Sequence, residues 1–497
     1  MKKPEILLIY PPPYRKAYYE RPDTPHGMLQ IATFLKKEGY HVETKNLLSM
    51  NYGLYGALLT LYLFVGYAGK KILHLDIKNK LKYRFYVAKH FHLKSGFIPH
   101  KDIIGFSILS YWQFYPAVAM ARKIKRVSNA KIVFGGAFFK TIRKGSKLYN
   151  AVSKLILEGT IDFVVTTDGE LPLLMLVRHL EGRTCLDKVP SIVYNDNGII
   201  KSTKEKVLPI DRVPLPDYSS LCVSSDGKPQ KHLFYSFIRG CKLRCSFCER
   251  PHMDNFEQKK IELVISDLKQ LEKQRPQLVS FRNNALNYDA SYAEMLCDEM
   301  IKQNISIKWF SSVIPYKLTM RLLRKMRTAG CEYIDIGVET GSEKLLRSMG
   351  KRFTIKQIET IIKNCNKLGI KVGVHLMIGY PHETEQDFKK TLSFLKRNHE
   401  RLWRILFNVF ILKEKSLIYQ NPHKYGIRLR GNDEMFDEIG GLTWEEKIKQ
   451  NERFCLILLK ERKNFKCEFY FESESYFFKP PKFLSFLRSY KKCIWFT

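Results

Sequence analysis

Two stretches of the chain alternate short apolar runs with helix-sized amphipathic segments, and this alternation restricts the fold more than any other sequence feature. Apolar runs separated by helices are typical of a parallel sheet covered by helices. In the first stretch the runs are Ile6–Tyr10, Ile103–Ile108, Lys131–Phe134 and Ile161–Val165, followed by a hairpin pattern at 192–200. We therefore predict an α/β protein whose residues 1–205 form a doubly wound, Rossmann-like domain.

The second stretch contains six strand-like runs, and each of the first five is followed by a helix-sized segment. The runs are Leu233–Ile238, Leu278–Phe281, Ile307–Ser311, Tyr333–Val338, Lys371–Ile378 and Arg404–Phe410. Six such units predict a partial (β/α)6 TIM-like barrel at residues 231–430, with the chemistry on the loops after the strands. Residues 206–230 hold four prolines and predict a linker. The pattern weakens beyond residue 430, so we assign residues 431–497 to a small C-terminal substrate or lid region.

Composition excludes two broad classes of protein. The chain has 497 residues, of which 45% are hydrophobic and 13% aromatic, so it can bury real cores and is not disordered throughout. Its eleven cysteines are sparse and odd in number, and none precedes Cys185. This usage argues against a secreted disulfide scaffold and makes a reducing cytoplasm the expected location.

The charge suggests an anionic partner but does not identify one. Lys and Arg total 84 against 49 Asp and Glu, a formal charge of +35, and nine basic residues between Lys70 and Lys101 accompany a single acid, Asp76. Residues 51–69 carry no charge, which is compatible with a membrane span but fits a buried helix or insertion better, given their glycines and tyrosines. The basic and aromatic residues 477–497 allow peripheral membrane contact, with a packed lid as the alternative.

Three cysteines, Cys241, Cys245 and Cys248, lie in one loop directly after the first strand of the predicted barrel. Thiolates this close in sequence can converge on an iron–sulfur cluster or on zinc, because both prefer soft sulfur ligands. A closed zinc site needs a fourth ligand, such as His252 or a remote cysteine. A three-cysteine loop on an iron cubane instead leaves one iron open for a small molecule. Chance clustering is the remaining alternative.

This loop, with Phe247 before its last cysteine and a βα barrel after it, resembles the radical S-adenosylmethionine (SAM) superfamily. The resemblance implies that Cys241, Cys245 and Cys248 hold a [4Fe-4S] cluster whose fourth iron is chelated by the methionine part of SAM. It further implies reductive cleavage of SAM to a 5′-deoxyadenosyl radical. The protein would supply binding, orientation and exclusion of water.

Two later segments resemble other elements of the same superfamily. Gly337-Val338-Glu339 and the following Met349-Gly350-Lys351 resemble the fourth-strand segment, which implies that Glu339 contacts a polar part of SAM. A carboxylate at a helix start is the alternative reading. The segment from Gly379 through Pro381 to Thr384 resembles the fifth-strand element near the adenine, with His382 in place of the family's second glycine. At the end of the second strand, where relatives often carry acids, Asn283 departs from the pattern.

The order of elements before the barrel resembles the cobalamin-binding domain that precedes many radical enzymes. Because ligands of doubly wound sheets bind at the carboxyl ends of the strands, Pro12, Ser107, Gly135 and Gly136 are the expected cobalamin-facing residues. No Asp-x-His-x-x-Gly motif occurs in the chain, so no histidine is predicted as the lower cobalt ligand. The alternative is a degenerate domain that retains only the fold.

The resemblance implies a cobalamin-dependent radical SAM methyltransferase acting on an unactivated carbon, or less often phosphorus, of a small-molecule or peptide substrate. A cyclisation or rearrangement without net methylation is the alternative within the family. Transfer-RNA methylthiotransfer needs three N-terminal cysteines, which residues 1–184 lack. A flavodoxin- or ferredoxin-type reductant is an expected partner, and nucleic acid is not. The alternative from another class is a basic, zinc-stabilised nucleic-acid-binding protein.

Overall fold

A computed structural model describes residues 3–11, 25–47, 101–140, 142, 144–219, 232–249, 255–431 and 435–472. The chain forms two compact units, Met1–Gln230 and Lys231–Thr497. The predictions for Pro12, His252, residues 51–69, the basic segment after Lys70 and residues 477–497 lie outside the described residues. Within those described, none of the helices has both the length and the apolar character needed to cross a bilayer.

The first unit is a seven-stranded sheet with helices between its strands. Its elements are β1 Ile6–Tyr10, α1 His26–Lys37, β2 Val42–Asn46, β3 Ile103–Ser107, α2 Tyr111–Ile124, β4 Lys131–Gly135, α3 Lys147–Leu157, β5 Phe163–Val165, α4 Glu170–Leu180, β6 Ile192–Asp196 and β7 Ile199–Ser202. The strand order is β2-β1-β3-β4-β5-β6-β7. Strands β1 to β5 are parallel, and the β6–β7 hairpin is antiparallel. The predicted doubly wound fold is confirmed.

Burial explains why four of the parallel strands could be predicted and β2 could not. All five residues of β1 are buried, as expected of a central parallel strand with helices on both faces. In β2 only Val42 is buried, because this strand lies at the edge of the sheet and its sequence is VETKN. Its hydrophobic pattern is therefore too weak to stand out.

Part of the segment predicted as a linker packs within the first unit. Leu208, Ile210, Val213 and Leu215 are buried, and so is Tyr218. The segment is tied to α1, since the backbone N–H of Asp217 donates to Thr33 Oγ1 at 2.8 Å and Tyr218 Oη lies 2.8 Å from His26 Nδ1. Pro209, Pro214 and Pro216 therefore belong to an extended segment that packs on the first unit.

The second unit contains a seven-stranded parallel sheet with helices between successive strands. Its elements are β8 His232–Tyr235, β9 Ile238–Arg239, β10 Glu257–Gln258, α5 Ile261–Glu272, β11 Leu278–Phe281, α6 Ala290–Lys302, β12 Trp309–Val313, α7 Met320–Thr328, β13 Cys331–Glu339, α8 Glu343–Ser348, α9 Ile355–Lys367, β14 Lys371–Ile378, α10 Glu385–Asn398, β15 Arg404–Val409, α11 Leu417–Gln420, β16 Ile427–Leu429, β17 Phe436–Glu438, α12 Trp444–Glu461 and β18 Glu468–Glu472. The order of the large sheet is β18-β15-β14-β13-β12-β11-β8.

The six predicted barrel strands are present in their predicted order, and a seventh strand extends them. Strand β18 pairs in parallel with β15, from Arg404 opposite Glu468 to Asn408 opposite Glu472. It comes from the region that the sequence assigned to a substrate or lid function, so the described part of that region also extends the sheet. Its sequence, EFYFE, is a short run that begins and ends with glutamate, in a part of the chain where the alternation of strands and helices has weakened.

An ion pair crosses the polar face of the barrel sheet. Asp335 of β13 and Arg404 of β15 occupy the same level as Gly373 of the intervening strand β14. The Arg404 guanidinium binds both carboxylate oxygens of Asp335, with Nε 3.2 Å from Oδ1. The pair can span β14 only because Gly373 has no side chain, since a Cβ there would overlap Asp335 Oδ1. His375, the next residue on this face, lies 4.0 Å from the Asp335 carboxylate.

We expect Gly373→Ala to lower the stability of the chain by about 2 kcal/mol, because the new methyl group must displace a buried ion pair. Urea denaturation followed by tryptophan fluorescence measures the loss. Gly27→Ala is the matched control, since a Cβ at this position in α1 meets no atom within 4 Å. The control should be neutral or stabilising by about 1 kcal/mol. Equal effects of the two substitutions would contradict the role given to Gly373.

Candidate functional site

The cysteine loop follows β9 and is fastened to the barrel through Ser246. Its backbone N–H donates to Met349 O and its carbonyl accepts from Ile418 N, both at 3.0 Å. The loop also runs close to Gly350, where a Cβ would lie 3.1 Å from the Arg244 carbonyl oxygen. These contacts leave Cys245 buried and Cys241 and Cys248 half-buried. The three predicted ligands therefore lie on one fixed loop.

The donor atoms of the cysteine loop bear on which metal it could hold. Among the described residues, the only three ligand-type side chains whose ligand atoms all lie within 4.8 Å of one another are Glu5, His41 and Glu43. Lys101 already neutralises that group through ion pairs to both glutamates. Two thiolates on tetrahedral zinc, each at about 2.3 Å, lie only about 3.8 Å apart. The three cysteine sulfurs do not all lie within 4.8 Å of one another, and thiolate donors of this kind suit an iron–sulfur cluster as well as zinc.

The surroundings of the loop affect the protonation of its thiols. Burial raises the pKa of Cys245, and the nearby Lys351 ammonium partly offsets this rise. Tyr288, which follows β11, donates a hydrogen bond from Oη to Cys241 Sγ at 2.6 Å. Burial and the neighbouring cysteines raise the pKa of Tyr288, so it stays a donor. Tyr288 could not be predicted from the sequence, because no local motif connects it with Cys241, which it contacts across 47 residues.

Glu339 ends β13 in a strained conformation. Its φ is +66°, which non-glycine residues rarely adopt, and the pairing register with β14 shifts between Gly337 and Glu339. The irregularity turns the carboxylate toward Lys351, whose Nζ donates to Glu339 Oε1 at 2.8 Å and to Gly337 O at 3.0 Å. Helix α8 begins only at Glu343, so Glu339 is not in its first turn. The strain marks Glu339 as a candidate site residue.

Lys351 connects Glu339 with the cysteine loop. Burial tends to lower the pKa of Lys351, but the charges of Glu339 and Cys245 outweigh burial and raise it. The Lys351 ammonium lies 5.6 Å from the centroid of the Phe247 ring. The predicted residues Phe247 and Glu339 are thus brought together around one buried cation.

The segment from Gly379 to His382 forms a tight turn after β14. Gly379 has a φ of +85°, and its N–H donates to Glu383 Oε2 at 2.5 Å. His382 has a φ of +59°, so it adopts the left-handed conformation that suits the glycine of the related motif. The ring Nε2 of His382 lies 2.9 Å from Gly426 O. The backbone N–H of His382 donates to Glu438 Oε1 at 2.7 Å. The turn is therefore formed despite the substitution, with Pro381 inside it.

Asn283 is hydrogen-bonded to the backbone that leads into the cysteine loop. Its Oδ1 accepts hydrogen bonds from the N–H groups of Phe237 and Ile238, at 3.2 and 3.1 Å. The next residue, Asn284, donates from Nδ2 to Gly240 O at 2.8 Å. The two asparagines hold the chain on either side of β9 and so position the first cysteine. Only the Asn284 contact requires an amide, because a carboxylate at position 283 could accept the same two hydrogen bonds.

The predicted cobalamin-facing residues of the first unit lie at the carboxyl ends of β3 and β4. Ser107 pairs with Gly135, and Ile108 N donates to Gly135 O at 2.8 Å. A Cβ at Gly136, whose φ is +111°, would overlap the backbone of Ile108, so the two loops require glycine there. Such a strand-end crevice is where ligands of doubly wound sheets bind.

Gln113 joins this crevice to the end of β1, a role that the sequence analysis missed. It is almost fully buried, donates from Nε2 to Pro11 O and accepts from Leu109 N, both at 2.8 Å. Strand order changes direction between β1 and β3, which makes this the switch point of the sheet. A glutamine in an amphipathic helix carries no sequence signal for such a bridge.

We expect Lys351→Met to destabilise the chain by about 3 kcal/mol, because it leaves the largely buried Glu339 carboxylate without its cation. The double variant Lys351→Met/Glu339→Gln should recover most of the loss, since no unpaired charge remains. Urea denaturation of wild type, the two single variants and the double variant measures the coupling free energy between the two side chains. Additive effects of the two substitutions would show that the pair is energetically unimportant.

Comparison with solved structures supports the two-unit architecture. The radical SAM methyltransferase TsrM from Kitasatospora setae, solved with cobalamin and a [4Fe-4S] cluster, superposes with a TM-score of 0.63 at 16% identity. The match covers 86% of this chain and 76% of TsrM. The cobalamin-dependent SAM radical enzyme OxsB gives a TM-score of 0.59 at 18% identity, over 85% of this chain and 56% of OxsB. At these identities the likeness concerns the fold.

Matches to curated proteins cover a smaller part of this chain than the matches to solved structures do. An uncharacterised methyltransferase of Pyrococcus horikoshii is 25% identical over 48% of this chain and 53% of its own length. The bacteriochlorophyllide d C-12(1)-methyltransferase of Chlorobaculum tepidum is 26% identical over 41% and 45%. A tRNA-2-methylthio-N(6)-dimethylallyladenosine synthase of Thermosipho africanus is 23% identical over 46% and 54%. The chain thus spans about half the length of the curated relatives it matches.

The sequence model of the radical SAM superfamily matches residues 235–395, the part of the chain that contains the cysteine loop, Glu339 and the Gly379 turn. This range and the fold of the two units agree with the resemblance found in the sequence. Residues 235–395 are therefore similar to the radical SAM superfamily, and the chain shares its fold with TsrM and OxsB.

Proposed function

We propose that the chain is a cobalamin-dependent radical SAM methyltransferase acting on an unactivated carbon or phosphorus centre. The observation that carries this proposal is the three-thiolate loop fixed beside a strained carboxylate at the carboxyl edge of the barrel sheet. When bound, a [4Fe-4S] cluster with SAM supplies a 5′-deoxyadenosyl radical, and cobalamin supplies a methyl group. TsrM structures with cobalamin, cluster and a SAM analogue support this cofactor set.

We assign the cluster to Cys241, Cys245 and Cys248, whose sulfurs are held by one loop. Tyr288 donates a hydrogen bond to Cys241 and so stabilises negative charge on that sulfur. We assign Glu339 to the polar part of SAM, because its orientation is fixed by the buried Lys351. The turn containing Gly379 and Pro381 would receive the adenine, since positive φ at Gly379 lets the backbone approach a ligand closely.

We assign cobalamin to the first unit, with Ser107, Gly135 and Gly136 facing it and Pro12 as a further predicted contact. Small side chains at the ends of β3 and β4 leave the backbone accessible to a large planar ligand. The buried Gln113 would keep the loops after β1 and β3 at a fixed separation. Its side chain thus orients the rim of the proposed corrinoid site.

The substrate is proposed to be a small molecule or peptide, and the reductant a flavodoxin or ferredoxin. One TsrM structure contains tryptophan, which supports a small-molecule substrate. All nine described cysteines are free thiols, which supports a location in the reducing cytoplasm, as does the oxygen sensitivity expected of an iron–sulfur cluster. Membrane contact remains a proposal for the basic end of the chain at residues 477–497.

Transfer-RNA methylthiotransfer is less well supported. Relatives with that name match about half of the chain, but residues 1–184 contain no cysteine for a second cluster. A zinc-stabilised nucleic-acid-binding protein is also disfavoured, because it gives no role to Glu339 and the Gly379 turn, which lie within the range matched by the radical SAM model. Rearrangement without methylation would use the same cofactors, so product analysis must separate it from methyl transfer.

We expect the anaerobically reconstituted protein to contain about four irons and one cobalamin per chain and to convert SAM to 5′-deoxyadenosine under strong reductant. Cys245→Ala should lose most of the iron and all SAM cleavage while keeping cobalamin. Cys365→Ala is the control, since Cys365 is a buried cysteine of α9 outside the loop. Metal analysis and chromatography of the nucleoside product measure both outcomes. Bound zinc without iron, or cleavage by Cys245→Ala, would contradict the assignment.

The cobalamin site can be tested independently at Gly135. A Cβ there would lie 3.5 Å from Val165 Cβ, an ordinary contact, so Gly135→Ala should fold and retain cobalamin. Gly135→Phe should reduce cobalamin retention about tenfold or more, because the ring would occupy the strand-end crevice. Corrinoid absorbance after desalting measures retention, and iron content reports whether the second unit is intact. Full retention by Gly135→Phe would move the site elsewhere.

A further inference from the structure

Tyr288 lies after β11 in a loop that is fixed by the segment following β12. The side chain of Asn287, which is fully buried, donates from Nδ2 to Ile314 O at 2.9 Å and accepts from Ile314 N at 2.7 Å. The Tyr288 side chain is itself buried, and its ring packs edge-on against Phe256 with the two centroids 5.2 Å apart. The Tyr288 hydroxyl is therefore held in place by residues that are not candidate cluster ligands.

This hydroxyl is directed at one sulfur of the cysteine loop. Tyr288 Oη donates to Cys241 Sγ at 2.6 Å, and among the described residues Cys241 is its only hydrogen-bond partner. A phenol keeps its proton at neutral pH, whereas a cysteine binds a metal as the thiolate. Hydrogen bonds to an ionised acceptor are stronger than those between neutral groups. The contact therefore strengthens as negative charge on the Cys241 sulfur increases.

The charge on the ligand sulfurs of an iron–sulfur cluster increases when the cluster is reduced. The added electron is shared between the irons and their sulfur ligands, so the Cys241 sulfur becomes a better hydrogen-bond acceptor. A fixed donor in a buried site then stabilises the reduced state more than the oxidised state, which raises the reduction potential. The Tyr288 proton stays on its oxygen, so one electron comes from the reductant and no proton is transferred.

Lys351 is the other described side chain that could have this effect, but its charge is already compensated. Its ammonium donates to Glu339 Oε1 at 2.8 Å and forms an ion pair with that carboxylate. A paired cation has a weaker field at a distance than a lone one, whereas the Tyr288 hydroxyl contacts the Cys241 sulfur directly. Tyr288 therefore has the more direct influence on the charge of a ligand sulfur.

We propose that the Tyr288 hydroxyl, acting through Cys241, raises the reduction potential of the cluster and so helps a protein reductant to reduce it. The inference rests on the proposed function, in which Cys241 is a ligand of a [4Fe-4S] cluster and a flavodoxin or ferredoxin supplies the electron. A higher potential makes the electron easier to accept but leaves less driving force for the cleavage of SAM. Tyr288 thus sets the balance between these two steps.

The test is an anaerobic redox titration of the full, cluster-reconstituted chain without SAM, in which electron paramagnetic resonance quantifies the reduced cluster. At the wild-type midpoint, Tyr288→Phe should show about one tenth of the wild-type ratio of reduced to oxidised cluster, a shift of about 59 mV for one electron. Its iron content should equal that of wild type. Tyr292→Phe is the matched control and should keep the wild-type ratio, since this buried tyrosine donates to Lys259 O.

A second variant and a second signal separate the hydrogen bond from packing of the ring. Incorporation of 3-fluorotyrosine at position 288 keeps the contact and makes the hydroxyl a stronger donor, because fluorine makes the phenol more acidic. This variant should raise the ratio above that of wild type. Pulsed resonance of the reduced wild-type cluster should show the coupling of an exchangeable proton that is lost in D₂O and in Tyr288→Phe.

The outcomes separate the inference from the proposed function. A wild-type midpoint in Tyr288→Phe, or no upward shift with 3-fluorotyrosine, would overturn the inference and leave the cluster assignment intact. If Tyr288→Phe binds no iron, the fluorinated variant decides the inference. Wild type that binds iron but gives no reduced-cluster signal under strong reductant, or that binds no iron, would overturn the proposed function as well.

Discussion

The candidate site depends on the hydrogen bonds that hold the cysteine loop in place at Ser246. Ser246 is buried between two of the three cysteines, and its backbone is bonded on both sides, to Met349 and to Ile418. Its hydroxyl donates to Ser348 O at 3.2 Å and shares a hydrogen bond with Tyr380 Oη at 2.9 Å. The cysteine loop, the segment after β13 and the turn after β14 therefore meet at a single residue.

This meeting point explains why the candidate residues, far apart in sequence, form one site. Parallel strands deliver their following loops to the same edge of a sheet, but the strands alone fix those loops only within several ångströms. Hydrogen bonds from Ser246 and the buried Lys351–Glu339 pair supply the remaining precision. The site proposed for a cluster and a cofactor needs such support, because its residues must keep fixed positions relative to one another.

The sequence was informative where its signal is local. The cysteine spacing, the buried parallel strands and the glycine-containing turns could be read from neighbouring residues, because periodicity and motif spacing reflect local geometry. Tyr288 and Gln113 could not, since each acts through a partner distant in sequence. Strand β18 was missed for a different reason: its aromatic residues are typical of strands, but they form a single short run outside the regular alternation of strands and helices.

The position of β18 also bears on how the second unit assembles on the ribosome. Strand β15 is followed by about sixty residues before its outer partner is synthesised, as Arg404 pairs opposite Glu468. Until then its hydrogen-bonding edge is open, and an open parallel edge is a place where nascent chains associate wrongly. The sheet can cover this edge only after residues 468–472 have been synthesised. A chain terminated before residue 468 would therefore expose the unpaired edge of β15 and be prone to aggregation.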